Sequence, residues 1–404
     1  MSSRGPVAVV MGTRPEGIKL APVVLELRRT AAVPPLVVAT GQHREMLAQA
    51  LRLFELTPDV DLAVMKPGQT LHDTTSRILL GVREVLREHR PSCVVVQGDT
   101  TTAFAAALAG FYEQIPVAHV EAGLRSGQRY APFPEEMNRR LVDQLSSVLF
   151  APTALAQRLL LAEGFATRDV YLTGNTVVDA LLSARDAIRR SPPAIEGLRP
   201  EAIEGKRVLL VTAHRRESFG APMRAICRAM LRIVSAEPDT AIVFPVHLNP
   251  NVTDPVHEVL GHHPRIALVP PLSYGAFVAL MDRAHLVLTD SGGVQEEAPT
   301  FGKPVLVMRE VTERPEGIAA GVAKLVGTSE WDIAAATVDL LRDRASYAAM
   351  VAGVNPYGDG FAARRIAKVL LARTGAERSF GPPSSRRPPV DSLRAADGMG
   401  MPHG

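Results

Sequence analysis

Short apolar runs alternate with amphipathic helical stretches along most of this chain, and that alternation constrains its fold more than any other feature. The runs fall at residues 7–11, 36–40, 94–97, 116–120, 148–150 and 170–172, and resume after a break at 208–212, 241–245, 266–269, 286–289 and 304–308. Each is brief and rich in Val, Ile and Leu, as a strand buried on both faces requires. Between them, stretches such as 15–29, 101–112 and 221–235 have helical periodicity. This βα rhythm predicts an α/β protein with parallel sheets covered by helices on both faces. The proline-rich segment from Ser191-Pro192-Pro193 to Lys206 reads as a linker between two Rossmann-like halves, 1–190 and 206–358. A cleft between such halves is a favoured place for a ligand. Asn355-Pro356-Tyr357-Gly358-Asp359-Gly360 breaks the rhythm again before a final helix at 361–373. Residues 374–404, rich in Pro, Gly, Ser and Arg without periodicity, read as a disordered tail.

The composition narrows the function. A net charge of +3, with no Lys/Arg block interleaved with aromatics, gives no footprint for nucleic acid. No apolar stretch reaches the ~20 residues of a membrane span. The first apolar run is short and ends in a charged turn, unlike a cleavable leader. The 2 cysteines, Cys93 and Cys227, lie far apart inside regular elements, which fits a reducing, cytoplasmic compartment. Zinc-ligand spacings, a GxSxG elbow, a P-loop lysine motif and the GxGxxG dinucleotide fingerprint are all missing from the sequence, so no metal and no cofactor is expected.

Polar and charged residues instead collect after the apolar runs, where open α/β sheets bind ligands. After 7–11 comes Met11-Gly12-Thr13-Arg14-Pro15-Glu16-Gly17-Ile18-Lys19, a tight turn into a helix whose first N–H groups could face an anion, with Arg14 and Lys19 adding positive charge. After 94–97 comes Gly98-Asp99-Thr100, where Asp99 is either a cap or a proton-relay carboxylate. After 116–120 come Glu121, Arg125, Arg129, Glu135, Glu136, Arg139 and Arg140, a mixture suited to proton transfer on an anionic substrate, although Glu135 and Glu136 also suit a helix N-terminus. In the second half, His214-Arg215-Arg216-Glu217 follows 208–212 and suits a diphosphate, and His247 repeats that placement after 241–245. Asp290-Ser291-Gly292-Gly293 follows 286–289, with glycines that let a phosphate approach the backbone. Glu297 lies one helical turn past Gly293, in reach of a ribose diol, and Arg314 comes from the next strand's loop.

The segments GTRPEGIKLAPV, TGQHREML, QGDTTTAFAAALAGF, HVEAGLRSG, PFPEEMNRRLVD, LTGNTVVDAL, TAHRRESFG, PVHLNP, DSGGVQEEAPTFGKPVLVMR and TERPEG occur in this order over about residues 7–372. Together they resemble the non-hydrolysing UDP-N-acetylglucosamine 2-epimerases. The resemblance implies two Rossmann-like domains in a glycosyltransferase-B-like arrangement, an active-site cleft between them, a final helix that crosses back to the first domain, and a homodimer. It places Arg14, Lys19, Asp99, Glu121, Glu135 and His214 around the sugar and diphosphate. It gives Ser291, Gly292, Gly293, Glu297 and Arg314 to UDP, with Phe277 near the uracil and the Leu272 backbone beside it. Gln42, Glu45, Gly68 and His247 fall near the positions of a regulatory pocket in which UDP-GlcNAc activates some members. Glu45 and Gly68 stand where some regulated members carry glutamine and arginine.

The chemistry agrees with that set. The C2 proton of an N-acetylhexosamine is not acidic, so inversion needs a redox cofactor or prior loss of the C1 substituent. Elimination of UDP to 2-acetamidoglucal and re-addition gives UDP-N-acetylmannosamine. That route calls for cations on the leaving diphosphate (Arg14, Lys19, His214, Arg215) and for an acid and a base drawn from Asp99, Glu121 and Glu135. A hydrolysing epimerase, an epimerase on a modified UDP-hexosamine, a glycosyltransferase of the same architecture and a sugar-nucleotide sensor are the other readings.

Overall fold

The computed structural model describes residues 5–375 apart from residues 43, 67 and 262; the tail read as disordered lies almost wholly outside them. Strands β1 (Val7–Met11), β2 (Leu36–Ala39), β3 (Val60–Asp61), β4 (Cys93–Gln97), β5 (Val117–Val120), β6 (Val148–Ala151) and β7 (Val170–Leu172) form a 7-stranded sheet ordered β3-β2-β1-β4-β5-β6-β7. Strands β8 (Arg207–Thr212), β9 (Thr240–Pro245), β10 (Ile266–Val269), β11 (Leu286–Thr289), β12 (Val305–Val307) and β13 (Ala323–Leu325) form a 6-stranded sheet ordered β10-β9-β8-β11-β12-β13. Every neighbouring pair is parallel. The expected fold class is therefore the observed one.

Strand periodicity explains how each sheet is covered. In β1, Val7, Val9 and Met11 point into one core, shared with Leu20, Val24 and Leu27 of the helix Arg14–Thr30. Ala8 and Val10 point into the opposite core, shared with Ile78 and Val82 of the helix Leu71–His89. Alternate residues facing opposite sides is the period-two rule of a strand. The second sheet repeats it. Leu209 and Val211 pack on Ile226 and Met230, whereas Val208 and Leu210 pack on Leu280 and Met281.

Two strands have no counterpart among the apolar runs. β3 has only 2 residues and is not fully buried, and β13 alternates between buried and exposed positions. Both are sheet edges, but so are β7 and β10, whose uncharged sequences still read as apolar runs; β3 and β13 are interrupted by Asp61 and Lys324. The stretch read as a bare linker is also docked. Ile203 is buried, and Ile195 and Leu198 pack against the second sheet's core around a short turn at Pro200–Ala202. Arg283 Nη2 also donates to the Ile203 carbonyl at 3.0 Å.

The two halves meet through apolar surfaces. Tyr274 and Val278 of the helix Tyr274–Arg283, which belongs to the second half, sit in the first sheet's core cluster. The final helix, Ala362–Thr374, returns to that cluster through Ala363, Ile366, Ala367, Leu370 and Leu371. Its first N–H groups, from Ala362 and Ala363, donate to the Asp179 carboxylate at 3.2 and 2.9 Å. Among the described residues no helix is long and apolar enough to cross a membrane.

Candidate active site

In each sheet the strand order reverses direction between two central strands, β1/β4 in the first and β8/β11 in the second. The crevice at the carboxyl ends of such strands is where doubly wound sheets bind ligands. Here both crevices open onto one cavity of about 360 Å³. Arg14 and Lys19 line it from the first half, and His214, His247, Leu272, Phe277, Ser291, Gly293 and Glu297 line it from the second.

The turn after β1 is built around a buried carboxylate. Glu16 accepts the N–H groups of Gly12 and Thr13 at 2.9 and 2.7 Å and the Thr100 hydroxyl at 2.6 Å. It therefore ties the turns after β1 and β4 together. A Cβ on Gly12 would collide with the hydroxyls of Thr40 and Thr102, which lie 3.0 Å from each other. The Gly12 and Thr13 N–H groups, just ahead of the helix, are thus occupied by a side chain of the same turn. Arg14 and Lys19 carry the positive charge of this turn into the cavity.

Glu121, just beyond β5, is the hub of a buried network. Lys19 Nζ lies 2.5 Å from its Oε1, and the Gln97 amide donates to its Oε2. The Asn175 amide donates both to Glu121 Oε1 and to Glu296 Oε2, each at 3.0 Å. Glu296 in turn accepts from Arg314 Nε. Burial alone would raise the Glu121 pKa, but Lys19 and Arg314, with hydrogen bonds from Lys19 and Asn175, bring it below the ordinary carboxylate value. Burial works against the Lys19 ammonium, yet Glu121 and Glu296 hold its pKa above the ordinary lysine value. Glu121 also sits at φ 70°, in the left-handed region. A non-glycine residue there costs about 1–3 kcal/mol, which the surrounding bonds must hold in place.

The other acidic candidates divide between exposure and structure. The Asp99 carboxylate lies 2.5 Å from Arg139 Nη2, and its carbonyl accepts from the Asn138 amide at 2.9 Å. Glu135 and Glu136 open the helix Glu135–Leu145. Glu136 is fully buried, accepting from the Ser126 N–H at 2.9 Å and Arg140 Nε at 2.8 Å. Glu135 stays partly exposed. Arg125, grouped with the functional guanidiniums in the sequence, is structural. It bridges Glu163 at 2.6 Å and buried Asp143 at 2.8 Å. Asp143 also meets His119 Nδ1 at 2.7 Å, and His119 Nε2 lies 2.8 Å from the Gly98 carbonyl, bracing the turn that carries Asp99.

On the opposite wall, buried Asp290 accepts the N–H groups of His214 and Arg215, both at 2.8 Å, and the Ser218 hydroxyl at 3.1 Å. The His214 ring stacks on His247 with centroids 5.8 Å apart and planes 17° off parallel. Burial lowers the His214 pKa, and His247 and Arg215 add to that, against an opposing pull from Asp290. Arg215 pairs with Glu313 at 2.9 Å. A Cβ on Gly292 would come 3.0 Å from Glu313 Oε1 and 3.4 Å from Arg215 Nη2, so the absence of a side chain leaves this corner open. Burial and the neighbouring Glu296 push Glu297 up to about 7. The buried Tyr274 hydroxyl also borders the cavity and has no hydrogen-bond partner among the described residues.

His247 belongs to the main cavity, while Gln42 accepts from the Thr102 hydroxyl at 2.9 Å and Glu45 and Gly68 are exposed. Neither Gln42 nor Glu45 lines the cavity.

A family model described as UDP-N-acetylglucosamine 2-epimerase matches residues 25–371. The chain belongs to the UDP-N-acetylglucosamine 2-epimerase family. It is 51% identical over 369 residues to a probable UDP-N-acetylglucosamine 2-epimerase of Ralstonia solanacearum, covering 91% of this chain and 98% of that one. It is 50% identical over 367 residues to the UDP-N-acetylglucosamine 2-epimerase of Escherichia coli K12, covering 90% and 98%. Among solved structures, the Neisseria meningitidis UDP-GlcNAc 2-epimerase bound to UDP-GlcNAc superposes with a TM-score of 0.81 at 44% identity, covering 91% of this chain and 100% of that one.

Within this epimerase fold, sequence reading of the site missed Glu16, Gln97, Asn175, Tyr274, Asp290 and Glu296 as contributors. Gln97, Asp290 and Glu296 each adjoin a residue that was singled out or lie within two positions of one. Asn175 lies just past the apolar run at 170–172, a strand-end position that was not singled out, and Tyr274 carries no local signal; the partners of both are set by tertiary packing.

Proposed function

We propose that the protein interconverts UDP-N-acetylglucosamine and UDP-N-acetylmannosamine without net hydrolysis, by eliminating UDP and adding it back. The observation that carries this reading is an ionised Glu121, clamped by Lys19, Gln97 and Asn175, beside a nucleotide-sized cavity with cationic walls. In elimination the C1–O bond breaks with its electron pair going to the diphosphate. A carboxylate takes the C2 proton, and C1=C2 forms in 2-acetamidoglucal. In re-addition a proton reaches C2 from the opposite face while the diphosphate oxygen attacks C1. No step changes the redox state of the pair, so no redox cofactor is required.

The charges suit these demands. Arg14, Lys19 and Arg215 meet the diphosphate as fixed positive groups that stabilise the leaving oxygen, and His214, whose lowered pKa disfavours the charged ring, meets it as a hydrogen-bonding group beside Ser291, Gly292 and Gly293. Phe277 and the Leu272 backbone take the uracil, Glu297 takes the ribose diol, and Arg314 anchors the network through Glu296. Asp99, Glu121 and Glu135 form the acid/base set, and the charges and hydrogen bonds around Glu121 keep it ionised, the form that can accept a proton. A cleft shared by two halves keeps the glucal from escaping between the two steps. We further propose that the enzyme acts as a homodimer in the cytoplasm.

The test is product analysis with UDP-GlcNAc as the sole substrate. Accumulation of UDP-ManNAc without free sugar is expected. Stoichiometric free ManNAc and UDP would show a hydrolysing enzyme instead, and turnover that begins only when an acceptor is added would show a transferase.

A further inference from the structure

We infer that Asn175 is a positioning residue that orients Glu121 and joins it to the nucleotide-binding half through Glu296. The inference rests on the acid/base role proposed for Glu121.

Asn175 follows β7 and N-caps the helix Thr176–Arg190. Its Oδ1 accepts the Val177 N–H at 3.0 Å, which fixes which way the amide faces. Both Nδ2 hydrogens then point away from the helix, one to Glu121 Oε1 and one to Glu296 Oε2, each at 3.0 Å. The Asn175 backbone N–H is also engaged, donating to the Tyr357 carbonyl at 2.6 Å. The residue is thereby held by its own helix, by the segment that leads into the final helix, and by the second half of the molecule.

Capping by itself does not require an amide: elsewhere in the chain Thr13, Thr100, Thr153 and Ser273 cap helices with a hydroxyl and Asn249 with an amide oxygen, so it is the two carboxylates beside Asn175 that set this cap apart. A hydroxyl that accepts from the helix has one hydrogen left to give, and a carboxylate has none. Only an amide accepts from the helix and still donates to two carboxylates. Each of those carboxylates has its own cation, Lys19 on Glu121 and Arg314 on Glu296. The groups facing Glu121 are therefore Lys19, Gln97, Asn175 and, at longer range, Arg314, while Glu296 lies across the amide.

The experiment uses Asn175→Ser and Asn175→Asp in the full-length enzyme, since both replacements retain a capping oxygen, with Glu121→Gln alongside. Loss of a hydrogen bond to a charged group predicts a kcat about ten- to a hundredfold lower for Asn175→Ser. The acid limb of its kcat–pH profile is expected to move to higher pH, because Glu121 loses a donor that favours its charged form. Asn175→Asp, which sets a third carboxylate between the other two, is expected to move it further. The Kd for UDP is expected to stay within about twofold in both, because the proposed nucleotide contacts are untouched. If Glu121→Gln is inactive but both Asn175 variants keep the wild-type kcat and pH limb, the bridge is refuted and the reading of Glu121 stands. If both variants lose thermal stability and kcat with no movement of the acid limb, Asn175 is only a structural cap and the inference fails. If Glu121→Gln turns over normally, the acid/base reading fails and takes the inference with it.

Discussion

Glu121 is a buried carboxylate with a strained backbone, fixed on both oxygens by Lys19, Gln97 and Asn175. Such over-determination is what a proton-transfer group needs if its oxygens are to stay aligned with one C–H bond. Glu121→Ala is therefore expected to retain UDP binding while turnover falls about 10²–10⁴-fold, the usual contribution of a positioned acid or base. Steady-state kinetics beside UDP titration calorimetry checks this, and near-normal turnover would remove Glu121 from the mechanism. Glu297 makes a separate prediction in binding. Its pKa of about 7 means that it is protonated, and a weaker acceptor for a diol, below that pH. UDP affinity is expected to fall as pH drops from about 8 to about 6, by up to about tenfold for one linked proton, and Glu297→Gln is expected to flatten that dependence. Residues at strand ends were legible in the sequence because strand and turn patterns locate them. Asn175 also stands at a strand end, just past the run at 170–172, but its two carboxylate partners, Glu121 and Glu296, are set by tertiary packing and leave no mark beside it in the chain.

Among the elements, the interior strands are the ones the sequence makes plain. Residues 94–97, 208–212 and 286–289 are buried on both faces and read as apolar runs. β3 and β13 were hidden because each is short and carries a charged residue, Asp61 or Lys324, that breaks the apolar run. The docking of the segment between the halves was hidden for a different reason: its prolines dominate the local pattern, while Ile195, Leu198 and Ile203 find their partners only in the folded second half. The final helix has a distinctive cap, the Asp179 carboxylate from another helix rather than a residue of its own first turn. Asp179→Ala is expected to destabilise the protein by about 1–2 kcal/mol, as loss of an N-cap does. Denaturant unfolding measures it, and an unchanged midpoint would mean that the helix is held by its apolar face alone.

At the scale of the whole molecule, two parallel sheets set their switch points against one cavity, so that each half supplies what the other lacks. The first half brings Arg14, Lys19 and the Glu121 hub. The second brings the His214–His247 stack, the Ser291–Gly293 turn and Glu297. The amide of Asn175 crosses between them. A site assembled this way suits a reaction that separates a sugar from its nucleotide and must rejoin the two before either leaves. The most direct test is to incubate the enzyme with UDP-GlcNAc alone in D2O and follow the anomeric and C2 proton signals by NMR. Deuterium at C2 of the UDP-ManNAc formed, with no release of free sugar, is the predicted result. UDP-ManNAc that keeps its original C2 proton would contradict proton exchange at C2 and the elimination mechanism built on it.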